Sequence, residues 1–248
     1  MRMFLFIIST ISISLAFSQD LSLLEEARSL ERQFKNEEAI KKYMDALKSN
    51  PGDPKILLRI TELYCMMGNE ADKDESKIQL YQLAITYADK LWMLDSTTAD
   101  AHYAKALVLG RQITYSSVKE KAFFTKKIKE EADKAIKTDP GHVKALYTLA
   151  KWNDEVASLN PAAKAALKMF FGGLPSASIE EAIRLYQEVR KMSPAFILNN
   201  YDLALALKKT GKSDQAIAIL NAQMKHPVKT TEDQVYKNLS KQLLTSLQ

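Results

Sequence analysis

The stretch Ser178–Leu220, SIEEAIRLYQEVRKMSPAFILNNYDLALALKKTGKSDQAIAIL, reads as three helices joined by two tight turns. Ser178 is placed to cap the first, and Glu181, three residues on, to return the bond as a capping box. Ala182, Ile183, Tyr186 and Val189 recur at three- and four-residue steps and therefore share one face. The residue before a proline is pushed out of the α region, so Ser193-Pro194 ends that helix. The next predicted helix carries Leu203, Ala204 and Leu207, and Gly211 supplies its left-handed stop. A third begins near Ser213 and turns Ala216 and Leu220 inward. Small alanines facing large apolar side chains let antiparallel helices approach closely. The unit is a helical hairpin.

The spacing Ala182, Tyr186, Val189, Pro194 returns along the chain. It appears as Ala39, Tyr43, Ala46, Pro51 and as Ile128, Ala132, Ala135, Pro140. Ala84, Ala88, Leu91, Ser96 keep the pattern without the proline, as do Ala216, Leu220 and Gln223. This repetition resembles the tetratricopeptide repeat, whose unit is about 34 residues. The stretch Asp20–Asp53 fits that unit best. The resemblance implies an all-α solenoid of about five helical hairpins, ended by a C-terminal capping helix.

Ahead of the repeats, Met1 and Arg2 precede the apolar run MFLFIISTISISLAF and then Ser18, Gln19 and Asp20. A short charged start, an apolar segment of this length and an Ala16-x-Ser18 ending predict a secretory signal peptide over 1–18. The run is shorter than the roughly 20 apolar residues of a spanning helix. The expectation is therefore an exported protein, periplasmic or secreted, with one solenoid domain over 19–248 and no stable membrane span after cleavage.

Composition agrees with an all-helical chain, with few glycines and prolines and plentiful Ala, Leu, Lys and Glu. The formal net charge of +5 is spread through 35 basic and 30 acidic residues. Acidic groups interspersed in this way oppose a phosphate backbone, so nucleic acid is not an expected partner. Cys65 is the only cysteine, which excludes an intrachain disulfide. Its apolar neighbours in LLRITELYCMMG predict core or groove packing.

Asp53-Pro54 opens the second repeat as N-cap and first helical residue, and Gly68 is expected to close that helix. Asn69–Lys77, NEADKDESK, reads as a charged insertion lengthening the next connection. The third repeat starts near Thr98, and its connection is longer again, containing KEKAFFTKKIKEE. There Lys119, Lys121, Lys126, Lys127 and Lys129 either meet an acidic partner or form a solvated helix face, with Phe123 and Phe124 packed inward. The fourth repeat begins around His142 and is followed by an extra helix, PAAKAALKMFF, and a Gly-Gly-Leu-Pro turn. That glycine pair lacks the spacing of a phosphate loop. Thr230 and Asp233 form the capping box of the last helix.

The segments EEADKAIKTDPGHVKALYTLAKWNDEVASLN, FFGGLPSASIEEAIRLYQEVRKMSPAF and TTEDQ together resemble the regulator of microtubule dynamics family. The resemblance runs from about Leu21 to Leu247, and its most specific part is the Phe171-Gly172 turn leading into Ser178 and Glu181. It implies a tetratricopeptide-like domain with long connections in the middle repeats. It also implies an association with microtubules, organelle contact sites or lipids, as in eukaryotic members.

Catalytic and cofactor chemistry finds no pattern. His102, His142 and His226 fall in different repeats without metal-ligand spacing, and no Cys-His or Ser-His-Asp arrangement stands out. Asp154 and Glu155 are adjacent on a helix, point differently and are expected at the surface. The expected function is therefore a non-enzymatic scaffold that holds a peptide or protein partner in its concave groove. A carrier of lipid or another apolar ligand inside the superhelix is the alternative. The resemblance to tetratricopeptide arrays implies that the first helix of each hairpin lines the groove, with the fifth repeat position facing it, which gives Leu24, Leu58, Tyr103, Tyr147 and Tyr201. Tyr103, Tyr147 and Tyr201 are thus the candidate contact stripe, flanked by Lys144 and Lys151, with aromatic area and a polar tip suited to an interface.

Overall fold

The computed structural model describes residues 21–171 and 176–247. In chain order, α1 covers 21–32, α2 Asn36–Ser49, α3 Pro54–Glu70, α4 Asp74–Leu94 and α5 Ala99–Gln112. After a 3-10 turn at Ile113–Tyr115 come α6 Val118–Thr138, α7 Val143–Ala157, α8 Pro161–Phe171 and α9 Ile179–Met192. The last three are α10 Ile197–Lys209, α11 Ser213–Met224 and α12 Thr231–Leu247. The hairpins are α1–α2, α3–α4, α5–α6, α7–α9 and α10–α11. Helix α8 is inserted within the fourth hairpin and rests on α6, while α12 packs on both helices of the fifth. The fold is an all-α, tetratricopeptide-like solenoid.

Sequence chemistry sets the ends of these helices. Asp53 accepts from the backbone N–H groups of Lys55 and Ile56 at 2.9 and 3.1 Å, with Pro54 at the first helical position. Thr230 and Asp233 bond reciprocally at 3.0 and 3.1 Å ahead of α12. Gly211, at φ +74°, ends α10 in the left-handed region, where an L side chain is strained. Ser178 caps α9 through the Glu181 N–H at 3.0 Å, but the Glu181 carboxylate does not close the box. It forms a two-pronged bond to Arg184, one turn along, with both contacts at 2.8 Å.

The repeat spacing marks the places where helices cross. Ala39, Ala84, Ala182 and Ala216 are all fully buried, as are Ala88, Ala132 and Tyr186 one turn on. Gln223, the polar residue at the third position of the last repeat, is equally buried and donates to Ser240 of α12 at 2.8 Å. The capping helix thus takes the amide N–H of the group that the pattern leaves polar, while its oxygen stays buried and unbonded. Cys65 is free and lies in the core of the first hairpins, where burial pushes its thiol up to about 11.

Two expected connections are helical instead. Most of Asn69–Lys77 is absorbed into the end of α3 and the start of α4, leaving 71–73 between them. KEKAFFTKKIKEE lies wholly within α6, started by a Ser117–Glu120 capping box. Its charges pair along the helix surface, Lys127 with Glu130 and Lys129 with Asp133, each at 2.7 Å. Phe123 is 45% exposed rather than packed inward. Gly68 does not end α3, which continues to Glu70. It is the point where the Tyr81 ring of α4 lies against the α3 backbone, in the space a Cβ would fill. The Gly-Gly-Leu-Pro turn falls outside the described residues.

Candidate functional site

Helices α3, α5, α7, α10 and α12 stand side by side along the inner face of the solenoid. At its N-terminus α12 reaches back to the first two hairpins, where the Asn36 amide donates to the Thr231 hydroxyl at 3.5 Å. That hydroxyl in turn donates to Glu70 at the end of α3. The C-terminal helix therefore roofs the concave side and leaves a cavity of about 660 Å³ beneath it. Residues of α5, α6, α7 and α8 form most of its wall, with Leu198 from α10 and with Glu232 and Tyr236 from α12.

Part of the cavity wall is apolar. Ala106, Ile128, Trp152, Val156 and Leu167 are all buried there. Trp152 is anchored by its indole N–H, which donates to the Thr125 carbonyl of α6 at 2.7 Å, so its ring stands as fixed wall. The helix pair α6–α8 contributes small residues, among them Ala122, Ala162, Ala163 and Ala166, which keep the space open.

Polar groups share the lining. The Tyr147 hydroxyl donates to Asp202 at 2.7 Å, and the Lys151 ammonium lies 3.2 Å from the same carboxylate. Burial pushes the Asp202 carboxyl above its ordinary range, and the Lys151 charge and the tyrosine bond oppose that rise. Arg111 and Glu232 also line the cavity. Asp154 is buried and bonded to Lys209 at 2.6 Å, contrary to its expected surface place, because α10 packs over it. Glu155 faces the cavity.

Of the five candidate contact residues, Tyr147 and Lys151 line the cavity. Tyr103 is buried with its ring 5.1 Å from that of His142, and Tyr201 pairs with Tyr236 of α12 at 5.4 Å. Lys144 bridges from α7 to Glu62 on α3, whose carboxylate also holds Arg59 at 2.9 Å. The histidines are tied to structure. His142 caps α7 by accepting the Ala145 N–H at 3.0 Å, so its proton sits on Nε2 and is donated to Asp100. His102 pairs with Glu131 at 2.6 Å. Among the described residues no group of three or more metal-ligating side chains converges.

Arg111, Asp202, Glu232 and Tyr236 escaped the reading of the sequence. A signal existed for Arg111, which lies two turns beyond Tyr103 on the face shared with Leu107. None existed for Glu232 and Tyr236, because the return of α12 onto the inner face is set by the curvature of the whole array.

The family model described as "Regulator of microtubule dynamics protein 1-3" matches residues 23–248. The regulator of microtubule dynamics protein 1 of Mus musculus is 26% identical over 181 residues, 72% of this chain and 59% of the relative. Protein 2 of Bos taurus is 23% identical over 190 residues, 76% of this chain and 46% of the relative. The chain thus spans roughly half the length of these relatives. A thermophilic tetratricopeptide protein of Thermus thermophilus superposes with a TM-score of 0.62 at 12% identity, covering 90% of this chain and 99% of that one. PilW, a type IV pilus biogenesis factor, gives a TM-score of 0.53 at 13% identity, covering 92% of this chain and 90% of that one. These likenesses confirm the solenoid. The relatives also overturn the exported, periplasmic or secreted setting expected from residues 1–18, which lie outside the described residues. They are named for microtubules, polymers of the cell interior that an exported chain does not meet. The model match spans almost the whole solenoid, and the chain belongs to the regulator of microtubule dynamics family.

Proposed function

We propose that the chain is a non-enzymatic binding scaffold that takes a peptide segment of a protein partner on its concave side, in the cavity walled by Tyr147 and Lys151. The observation that carries this reading is the cavity itself, about 660 Å³ with an apolar wall and a few convergent polar groups. Binding sites are commonly spaces of this size and make-up. Tyr147 offers ring surface held in place by Asp202, and Lys151 offers charge beside the same carboxylate. Tyr103, Tyr201 and Lys144 stand on the same inner helices and hold the wall in register.

A second reading is an apolar small molecule or lipid chain in the same space. It is favoured by one feature, the roof that α12 places over the groove, which leaves little room for an extended peptide to run through. Native mass spectrometry of the full chain from its own cells tests both, compared with Ala166→Trp, which fills the cavity. The expected result is a bound mass in the natural protein that the variant lacks. A peptide mass supports the partner scaffold, and an acyl mass the carrier. No bound mass, or the same mass on Ala166→Trp, overturns the cavity as the site.

A further inference from the structure

Helix α12 lies on the inner face of the solenoid as a bound helical peptide would. From Glu232 onward its inward side carries Tyr236, Ser240, Leu243 and Leu247, at three- and four-residue steps. These residues, and Thr231 ahead of them, meet groups from several helices. The Thr231 hydroxyl accepts from Asn36 of α2 at 3.5 Å and donates to Glu70 of α3. The Glu232 carboxylate acts on the Arg111 guanidinium of α5, which also bonds the Cys65 thiol. The Tyr236 ring lies 5.4 Å from that of Tyr201 on α10, and Ser240 accepts from Gln223 of α11 at 2.8 Å.

The hold on α12 is nonetheless thin. Ser240 and Leu243 are the buried residues of this 17-residue helix, whereas α10 buries eight of its 13. Apolar burial stabilises in proportion to the area removed from water, and α12 removes little. The bond from Thr231 to Glu70 is open to water, which competes for it and leaves a small net contribution. Residues 225–230, with Pro227 among them, join α12 to α11 without regular structure.

We propose that this inner face is a receptor for an amphipathic helix of a protein partner, and that α12 is the resident strap which such a helix displaces. Elements that bury little area open locally while the rest stays folded, so the strap leaves without unfolding the five hairpins. The partner helix has the chemistry of α12. It carries a hydroxyl and a carboxylate in its first turn, an aromatic residue one turn on, then a small hydroxyl and leucines on the same side. Recognition of a helix in a groove reads side chains at this spacing. The inference goes beyond the cavity reading, because the partner replaces the roof and needs no occupant beneath it.

The test titrates a fluorescent peptide of residues 229–247, KTTEDQVYKNLSKQLLTSL, into the full chain. Thr231→Val in the chain loosens the strap and leaves the groove as it is. That variant is expected to bind the peptide about threefold or more tightly than the natural chain does, the worth of one net hydrogen bond. A peptide carrying Tyr236→Ala should bind at least about threefold more weakly, through loss of the ring pair. No binding by either chain, equal binding by both, or equal binding of the two peptides overturns the receptor. Native-state hydrogen exchange on the natural chain needs no variant. It should find the α12 amides at least about tenfold less protected than those of α10, and equal protection overturns the strap. Dimerisation of the natural chain that grows with concentration assigns the face to α12 of a second copy and overturns the separate partner. None of these outcomes bears on the bound mass compared with Ala166→Trp, so the cavity reading stands or falls separately.

Discussion

Two glycines of the same solenoid behave in opposite ways, because what matters is the neighbour rather than the residue type. Gly68 lies where the Tyr81 ring meets the α3 backbone, and an added methyl would occupy space the ring already holds. Gly110 sits inside α5 against open cavity, with nothing nearer to an added Cβ than 4.0 Å. Overpacking costs about 1–3 kcal/mol, whereas replacing a mid-helix glycine by alanine returns about 0.5–1 kcal/mol. Gly68→Ala is therefore expected to lower the urea midpoint and Gly110→Ala to raise it. Two equal shifts would show that Tyr81 does not pack where the structure places it. Neither role is legible in the residues themselves, since both glycines follow apolar helical runs of similar composition.

At the scale of the element, the repeat spacing identifies the buried seam, and the charged segments misled because charge is compatible with helix. Lys127, Glu130, Lys129 and Asp133 satisfy one another on the outer face of α6, a helix of 21 residues whose other face buries Ala122, Ile128, Ala132 and Ala135. Such exposed pairs contribute little to stability. The seam is different. Ala182 is fully buried where α9 meets its neighbours, and Lys191 is exposed on the same helix. Ala182→Leu is expected to cost about 1–3 kcal/mol in urea denaturation, and Lys191→Leu close to nothing. Equal small effects would place the crossing elsewhere on α9.

Across the whole molecule, long-range polar bonds hold the inner helices together. Glu62 on α3 receives Arg59 of its own helix and Lys144 of α7, two hairpins away. Burial would raise the Glu62 carboxyl, but Lys144 and Arg59 outweigh it and hold it below the ordinary 4.5. A carboxylate lowered on folding contributes stability above its unfolded value, and that contribution is lost as pH falls through the folded one. Glu62→Gln is accordingly expected to cost about 1.5–3 kcal/mol near pH 7, the worth of a bond to a charged group. Its difference from the natural protein should shrink as the medium is acidified below the ordinary carboxylate range. A gap that stays constant through that range and below it would mean the bridge to α7 is not formed in solution.

Local chemistry in the sequence determined the helices, their caps and the seam between them. Apolar spacing, Asp53, Ser178, the Thr230–Asp233 pair and Gly211 act within a turn or two of chain, where a linear reading suffices. Tyr147 and Lys151 were reachable for the same reason, as positions on one helix face counted from the repeat boundary. Only the tertiary structure decided that α12 returns to Asn36 and Glu70, that α8 and α6 leave a gap between small residues, and that Arg111 lines that gap with its Nε unbonded. Those features depend on the small rotation between successive hairpins, summed over the array. No single repeat records that sum, because each repeat specifies contacts only with its immediate neighbours.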